Sequence, residues 1–460
     1  MQPTFDIVAD LDTPVSAYLK MAPFHPRFLL ESVEGGTQLG RYSFIGFGEA
    51  DEIQLNDGTL SFNGNASNLP DTPQGILDMY RRILKDTEKN HFDPGSLPFA
   101  GGMVGVTSFE MHRLFEPRPG GNTERGLLGR YLVPQAVLAF DHLTRRAALL
   151  TAGTDSERAS LKKDVITALR GPLPETKRIT PHAPPTPSLS RHDFLSAVER
   201  TQQYIKQGDV YQLVLSICFS GACDIAPFEV YRALRLLNPS PYMYFLDFKD
   251  TAVVGSSPEA LVRLNGRRAV LRPIAGTRPR GKTPEEDLAL EKDLLNDPKE
   301  NAEHVMLVDL ARNDVGRVSL PGSVTVDPYK TIERYSHVMH IVSGVEGILA
   351  PEYDALDLFS AAFPAGTVVG APKIRAADII KELEPNPRGI YAGTAGYFGH
   401  NGTMDQAIAI RTLVFENGGY SYQAGAGIVS DSIAENEHDE VLAKSAALKA
   451  ALALAEEGLS

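Results

Sequence analysis

The chain has 460 residues, 43% hydrophobic and 22% charged, with a formal net charge of −13. So long a chain outgrows one simple core and calls for two domains or two lobes, and the acidic balance excludes nucleic acid, whose phosphates need a basic field. An anionic substrate would gain no long-range steering, so any anion site has to build positive potential locally, from a metal, an Arg or Lys, or backbone N–H groups.

In chain order, the opening MQPTFDIVAD is acidic and lacks the basic-then-apolar pattern of a signal peptide. No apolar stretch further on approaches the ~20 residues that span a bilayer. Strand-like runs broken by glycine follow: RYSFIGFG, EIQLNDGTLSFNG, GGMVGVTSF, YLVPQAVLAFD and RAALLTAG, interrupted by a helix, PQGILDMYRRILKD. Strands in short succession imply antiparallel sheet rather than a βαβ series. RITPHAPPTPSLS (178–190) holds four prolines and almost no large apolar residue, and reads as a linker. The expected organisation is a strand-rich region 1–171, a linker 172–190 and a second region 191–460. Ser190 and Asp193 form a capping signature for the helix RHDFLSAVERTQQYIKQG. Strands VYQLVLSICFSG and YMYFLDF come next. Cys218 and Cys223 have no metal-type spacing and read as reduced core thiols of a cytoplasmic protein. The helices PKENAEHVMLVDLARND and RAADIIKELEP, the strands YAGTAGYFG, MDQAIAIRTLVFENG and YSYQAGAGIVS, and a closing amphipathic helix complete the chain.

Several stretches could carry chemistry, and each has a plainer reading beside it. Glu300 and Glu303 share one face of a predicted helix, and Glu437 and Glu440 one face of the last, which Lys444 continues. Either pair alone fits a solvated acidic face; carboxylates meeting from two helices would suit Mg²⁺, which takes oxygen ligands. Gly425-Ala426-Gly427, read as lying between a strand and the final helix, is a strand-end turn or a set of amides open to an anion. His340, spaced by three from His337 among apolar neighbours, fits a core histidine as well as a catalyst. Glu259 in SSPEALV is a general acid with a raised pKa or a glutamate at a helix N-terminus. Arg411 in AIAIRTLVF reads as mid-strand and calls for an anionic partner. In RPIAGTRPRG, Ala275, Gly276 and Thr277 are flanked by Arg272, Arg278 and Arg280, either a surface turn or a loop made for close approach.

Seven stretches occur together in one order: PIAGTRPRG, ENAEHVMLVDLARNDVGRV, YSHVMHIVSGVEG, FPAGTVVGAPKIRA, RGIYAGTAGYFG, AIAIRT and QAGAGIV…ENEHDE. With them the chain resembles the chorismate-utilising enzymes, most of all their anthranilate synthase component I branch, over nearly its whole length. The resemblance implies an α+β fold, a two-lobed sandwich of orthogonal, mainly antiparallel β-sheets wrapped by helices. It implies that Glu303 and Glu440 ligate Mg²⁺ with Glu300 and Glu437 around it. The amides of Gly425, Ala426 and Gly427 would help hold the ring carboxylate of chorismate, with Lys444 nearby, and Tyr391 and Arg411 the enolpyruvyl carboxylate. Glu259 would protonate the departing 4-hydroxyl, His340 would serve the later loss of pyruvate, and Gly276 and Thr277 would lie beside the ring.

The implied activity is Mg²⁺-dependent conversion of chorismate and ammonia to anthranilate and pyruvate, the first step of tryptophan biosynthesis. Aminodeoxychorismate synthases typically carry a nucleophilic lysine at the position of Ala275, and water-using relatives a lysine base at that of Gln212. Alanine cannot attack, and ammonia needs no such base. The stretch LLES resembles the family's tryptophan-inhibitor motif, which assigns Leu29, Leu30, Glu31, Ser32, Arg41, Pro241, Tyr242 and Met243 to a feedback pocket. No glutaminase motif is present, so a separate amidotransferase subunit (component II) would supply ammonia in a hetero-oligomer. Departures from the pattern fall at Ile217 to Ser220 and at Val369. The alternatives are an aminodeoxychorismate synthase large subunit and a noncatalytic tryptophan-binding relative.

Overall fold

Alternation along the strands builds two cores from one sheet. In the computed structural model, which describes residues 5–32, 40–56, 58–88, 97–116, 126–174, 181–335 and 338–459, neighbouring residues Phe28 and Leu29 are both buried on opposite faces. The split recurs at Phe44 and Ile45, Tyr244 and Phe245, and Tyr397 and Phe398. A sheet buried on both sides needs two covers. On one side it packs on itself, in a core drawn from strands and their connections without any helix. On the other lie the helices Pro73–Asp86, Arg191–Gln207, Pro227–Leu237 and Ala434–Glu457, which contribute Ile76, Phe194, Tyr231 and Val441. Every pairing between described strands is antiparallel. The fold is therefore the expected α+β sandwich wrapped by helices.

The large sheet runs across the proline-rich segment. Strand Phe28–Glu31 pairs with Tyr242–Asp247, and Gly102–Thr107 with Thr394–Gly399. Residues 175–180 lie outside the described residues. Farther along the segment, Thr186–Pro187 pairs with the strand Gln212–Ala222. A second sheet has three strands, Ile274–Pro279, Thr331–Arg334 and Val338–Val342, and closes over Leu294 of the helix Pro284–Asn296.

The expected helices form, some of them on side-chain caps. Thr72 caps Pro73–Asp86, and the Ser190 hydroxyl accepts from Asp193 N before Arg191–Gln207 ends at Gly208, φ 82°. RYSFIGFG and EIQLN, however, form one 15-residue strand, Tyr42–Asn56. Gly48, φ 82°, makes a bulge between Phe47 and Ala50 rather than a break. The helix Asp155–Leu169 escapes pattern reading because it buries only Val165 and Leu169. Both cysteines are free, and burial pushes the thiols up, Cys218 to about 11, so neither is a thiolate at neutral pH. Among the described residues no helix is long and apolar enough to cross a membrane.

Candidate active site

Strand Gln212–Ala222 pairs with Gly419–Ile428, setting Val214 opposite Gly427, Leu215 opposite Ala426 and Ser216 opposite Gly425. Val214 gives its N–H to Val369 O (2.9 Å) and Ser216 to Glu384 Oε1 (2.9 Å), so neither bonds across this ladder. Antiparallel alternation then turns the N–H and C=O of Gly425 and Gly427 away from the partner strand. Lys444 marks the same direction, donating from Nζ to Gly425 O at 3.1 Å. The Gly-Ala-Gly stretch is thus inside a strand, not after one as expected, and presents two amides from its outer edge. A Cβ at Gly425 would come within 2.7 Å of Tyr391 Oη, and one at Gly427 within 2.7 Å of Gln212 Nε2. Small residues here let Tyr391 and Gln212 close against the strand.

Two helices bring the carboxylates. Pro298–Gly316 starts at Asp297, whose side chain accepts from Lys299 N and Glu300 N (2.9 and 3.2 Å). Glu303 Oε1 accepts from Gln212 Nε2 at 3.0 Å, and on the closing helix Glu440 pairs with Lys444 at 2.6 Å. Burial first, then the charge of Glu303, pushes the Glu300 carboxyl up; burial also raises Glu437, which Glu440 reinforces. Lys299 acts electrostatically on Glu437, so the two helix starts are neighbours. Crowded carboxylates without thiolate or imidazole have the donor chemistry of a hard cation such as Mg²⁺. Among the described residues no three His, Cys, Asp or Glu side chains are already gathered around one point. Gln212 and Lys444 hold two of the oxygens that an ion would take.

The facing wall comes from the three-stranded sheet. A bulge between Ala275 and Thr277 puts Gly276 at φ 70°, where a Cβ would lie 3.1 Å from Glu300 Oε2. Thr277 faces His340, whose Nδ1 is 3.0 Å from Gly276 O and 3.1 Å from Thr277 Oγ1. The carbonyl can only accept, so Nδ1 carries the hydrogen and Nε2 the lone pair. Burial lowers the imidazole pKa, with a further push from Arg411 against the pull of Gly276 O, so the ring is a neutral base. His337 lies outside the described residues. The flanking arginines are neither solubilising nor free for an anion. Arg272 pairs with Glu333, Arg278 with Asp293 and Asp297 (2.7 and 2.8 Å), and Arg280 with both oxygens of Asp287 (2.9 and 3.0 Å).

Glu259 sits between strands Thr251–Ser257 and Ala260–Asn265, not at a helix N-terminus. Burial raises its carboxyl to about 7 against the Thr367 hydroxyl and the Lys444 charge. Arg411 is not mid-strand either. It lies just before the strand Thr412–Glu416 at φ 50° and donates to Asn238 Oδ1 at 3.2 Å. Beneath Tyr391, whose hydroxyl burial pushes up to about 12, lies Arg388, which the sequence did not single out. Arg388 donates to Val368 O and Val214 O (both 2.7 Å) and grips both oxygens of buried Glu384. Arg388→Met leaves Glu384 charged and unpaired inside the protein. The expected result is a loss of about 3–5 kcal/mol, read as a lower urea midpoint at unchanged slope.

The inhibitor-motif residues form a second cluster. Paired strands set Leu30 opposite Tyr244 and Glu31 opposite Met243. Glu31 is buried and accepts from the Tyr231 hydroxyl and from Arg235 (3.1 and 3.3 Å). Arg41 bonds Asp141, and Tyr242 donates to Asp405 at 2.9 Å. The hydroxyls of Ser32 and of Ser240, next to Pro241, are buried without a hydrogen-bond partner among the described residues. The helix Pro227–Leu237 carries Tyr231 and Arg235 and ends on Asn238, the residue that meets Arg411. The departures from pattern are packing: Val369 is fully buried, and Phe219 stacks on Tyr422 at 5.2 Å.

A family model described as chorismate binding enzyme matches residues 25–450. The chain is 46% identical over 458 residues to anthranilate synthase component 1 of Thermus thermophilus, with 98% of each covered. It superimposes on the crystal structure of anthranilate synthase component I from Streptococcus pneumoniae with a TM-score of 0.79 at 38% identity, covering 89% of this chain and 92% of that one. The menaquinone-specific isochorismate synthase of Escherichia coli shares the fold, with a TM-score of 0.71 at 18% identity over 97% of this chain and 92% of that one.

Proposed function

The chain belongs to the chorismate-binding enzymes, with relatives that are anthranilate synthase component 1, and we propose that it aminates chorismate and expels pyruvate to give anthranilate, for tryptophan synthesis. The observation that carries the reading is Glu259, a carboxyl raised to about 7 and so able to hold a proton at neutral pH. Lys444, whose charge acts on Glu259, donates to Gly425 O beside the edge amides, and those amides with Arg411 suit a substrate with two carboxylates. Ammonia adds at C2, the ring double bonds shift, and the C4 hydroxyl leaves as water with the proton of Glu259. His340 Nε2 then takes the C2 proton as the C3–O bond breaks, and the departing enolpyruvate gains a proton at its methylene carbon to become pyruvate. The aromatic ring makes that step strongly downhill.

Mg²⁺ held by Glu303 and Glu440, with Glu300 and Glu437 around it, would supply positive charge for the ring carboxylate. Gly425 and Gly427 orient that carboxylate through N–H groups already pointing outward, and Tyr391 and Arg411 orient the enolpyruvyl arm. Ammonia as nucleophile rests on two side chains. Ala275 has no atom to attack the ring, and Gln212 is a neutral amide already bonded to Glu303. A separate glutamine-hydrolysing subunit would provide the ammonia, and two free thiols fit a cytoplasmic setting.

The purified chain with chorismate, Mg²⁺ and an ammonium salt should produce fluorescent anthranilate together with pyruvate. A 4-amino or hydroxylated product, identified by mass, would refute the reading. Tryptophan is the proposed feedback inhibitor, bound beside Glu31 and coupled to the cleft through the helix Pro227–Leu237 and Asn238. Glu31→Gln removes a charge-assisted contact, so the half-inhibiting tryptophan concentration should rise on the order of 10- to 100-fold at unchanged uninhibited kcat. Unaltered sensitivity would move the pocket elsewhere.

A further inference from the structure

A general acid has to be reloaded after each turnover. Glu259 lines a small cavity of about 40 Å³ shared with Leu310, Asp314, Gly366 and Thr367. That is room for a water molecule, which needs roughly 10–15 Å³. The Thr367 hydroxyl is buried there with no partner at hydrogen-bonding geometry, although it lies close enough to Glu259 to favour its carboxylate. Across the cavity stands Asp314, 5% exposed, accepting from Lys373 Nζ at 2.6 Å. Asp314, Leu310 and Lys373 also line a far larger cleft of about 910 Å³. One buried carboxyl therefore borders both the cavity that Glu259 lines and an outer cleft.

We propose that Asp314 is a positioning residue that relays the proton with which Glu259 is reloaded, taking it from the outer cleft and passing it through water in the shared cavity. The proposal rests on the reading of Glu259 as the acid. In each turnover Glu259 gives one proton to the departing hydroxyl, which leaves as water, and the added ammonia sheds one proton to solvent. Asp314 then protonates the Glu259 carboxylate and takes one proton from the outer cleft, so no net proton is gained or lost. Burial raises both carboxyls, Asp314 to about 6 against the pull of Lys373 and Arg317 and Glu259 to about 7 with Lys444 facing it, so both exchange protons near neutral pH.

The test is the steady-state ammonia-dependent reaction of Asp314→Asn. The kcat should fall roughly 10- to 100-fold, the low end of acid–base contributions. KM for chorismate should stay put, and the solvent deuterium isotope effect on kcat should grow as proton delivery becomes limiting. Asp314→Glu should recover most of the rate. Ala365→Val, which fills the cavity and leaves Asp314 intact, should show the same isotope signature and serves if the Asn variant does not fold. A folded variant with wild-type kcat, or with a lowered kcat and an unchanged isotope effect, overturns the relay. Glu259→Gln separates the two ideas: if it stays active, the acid assignment fails; if it is inactive while Asp314→Asn is wild type, the relay alone fails.

Discussion

Glu259→Gln is expected to lower kcat for anthranilate formation by roughly 10²–10⁴-fold with little change in chorismate binding. Glutamine keeps the shape and the polar contacts of the side chain and removes only its proton. The same substitution should make the protein more stable in mild alkali. The Glu259 carboxyl is raised from 4.5 to about 7 on folding, so the native state binds more protons than the unfolded chain between those values. Stability then falls as pH rises through that window, and the penalty is complete above about 7. Urea unfolding should show the variant ahead of wild type at pH 8 and level with it near pH 4. The wild-type rate should be bell-shaped in pH, because free ammonia grows as pH rises while the protonated acid disappears through about 7. A variant both active and unstabilised would mean that another group supplies the proton.

Stripping divalent cations with a chelator is expected to cut activity about 10³-fold or more, the scale of several kcal/mol of charge stabilisation. Added Mg²⁺ should restore it, and monovalent salt should not. The physical basis is the cost of keeping Glu300 and Glu437 charged, set first by burial and then by the neighbouring charges of Glu303 and Glu440. A bound cation relieves it, so Mg²⁺ should also raise the thermal midpoint, and less so as the pH drops and the ligands protonate. On the proposed site, Glu440→Gln replaces a charged oxygen ligand with a neutral amide, so it should weaken Mg²⁺ affinity measurably by calorimetry. Full activity in chelator would remove the metal from the mechanism.

The acid pairs are legible in the sequence because spacing of three on a helix is local information. The amide edge is not. Which backbone groups of Gly425 and Gly427 face outward depends on Val369 and Glu384 taking the Val214 and Ser216 N–H groups, partners remote along the chain. Arg411 is misread for a related reason, since apolar residues on both sides hide a left-handed turn between two strands. Gly48 shows the converse, a glycine that bends a strand without ending it. Asp314 looks like an ordinary charge near a helix end and Arg388 like one in a loop, and only packing reveals them as buried. The roles given to individual side chains came from family likeness, whereas helix positions and the antiparallel class came from caps, turns and periodicity.

The two seams of the large sheet constrain how the chain is made. Strand Phe28–Glu31 waits for Tyr242–Asp247, and Gly102–Thr107 for Thr394–Gly399. During synthesis each of the earlier strands therefore leaves the ribosome with one edge bare and keeps it bare until its distant neighbour follows. Such long-range closure is slow, and unpaired edges recruit other chains. A translational pause or truncation before Thr394 would thus leave a nascent chain prone to aggregate, and a holding chaperone should matter most in that interval.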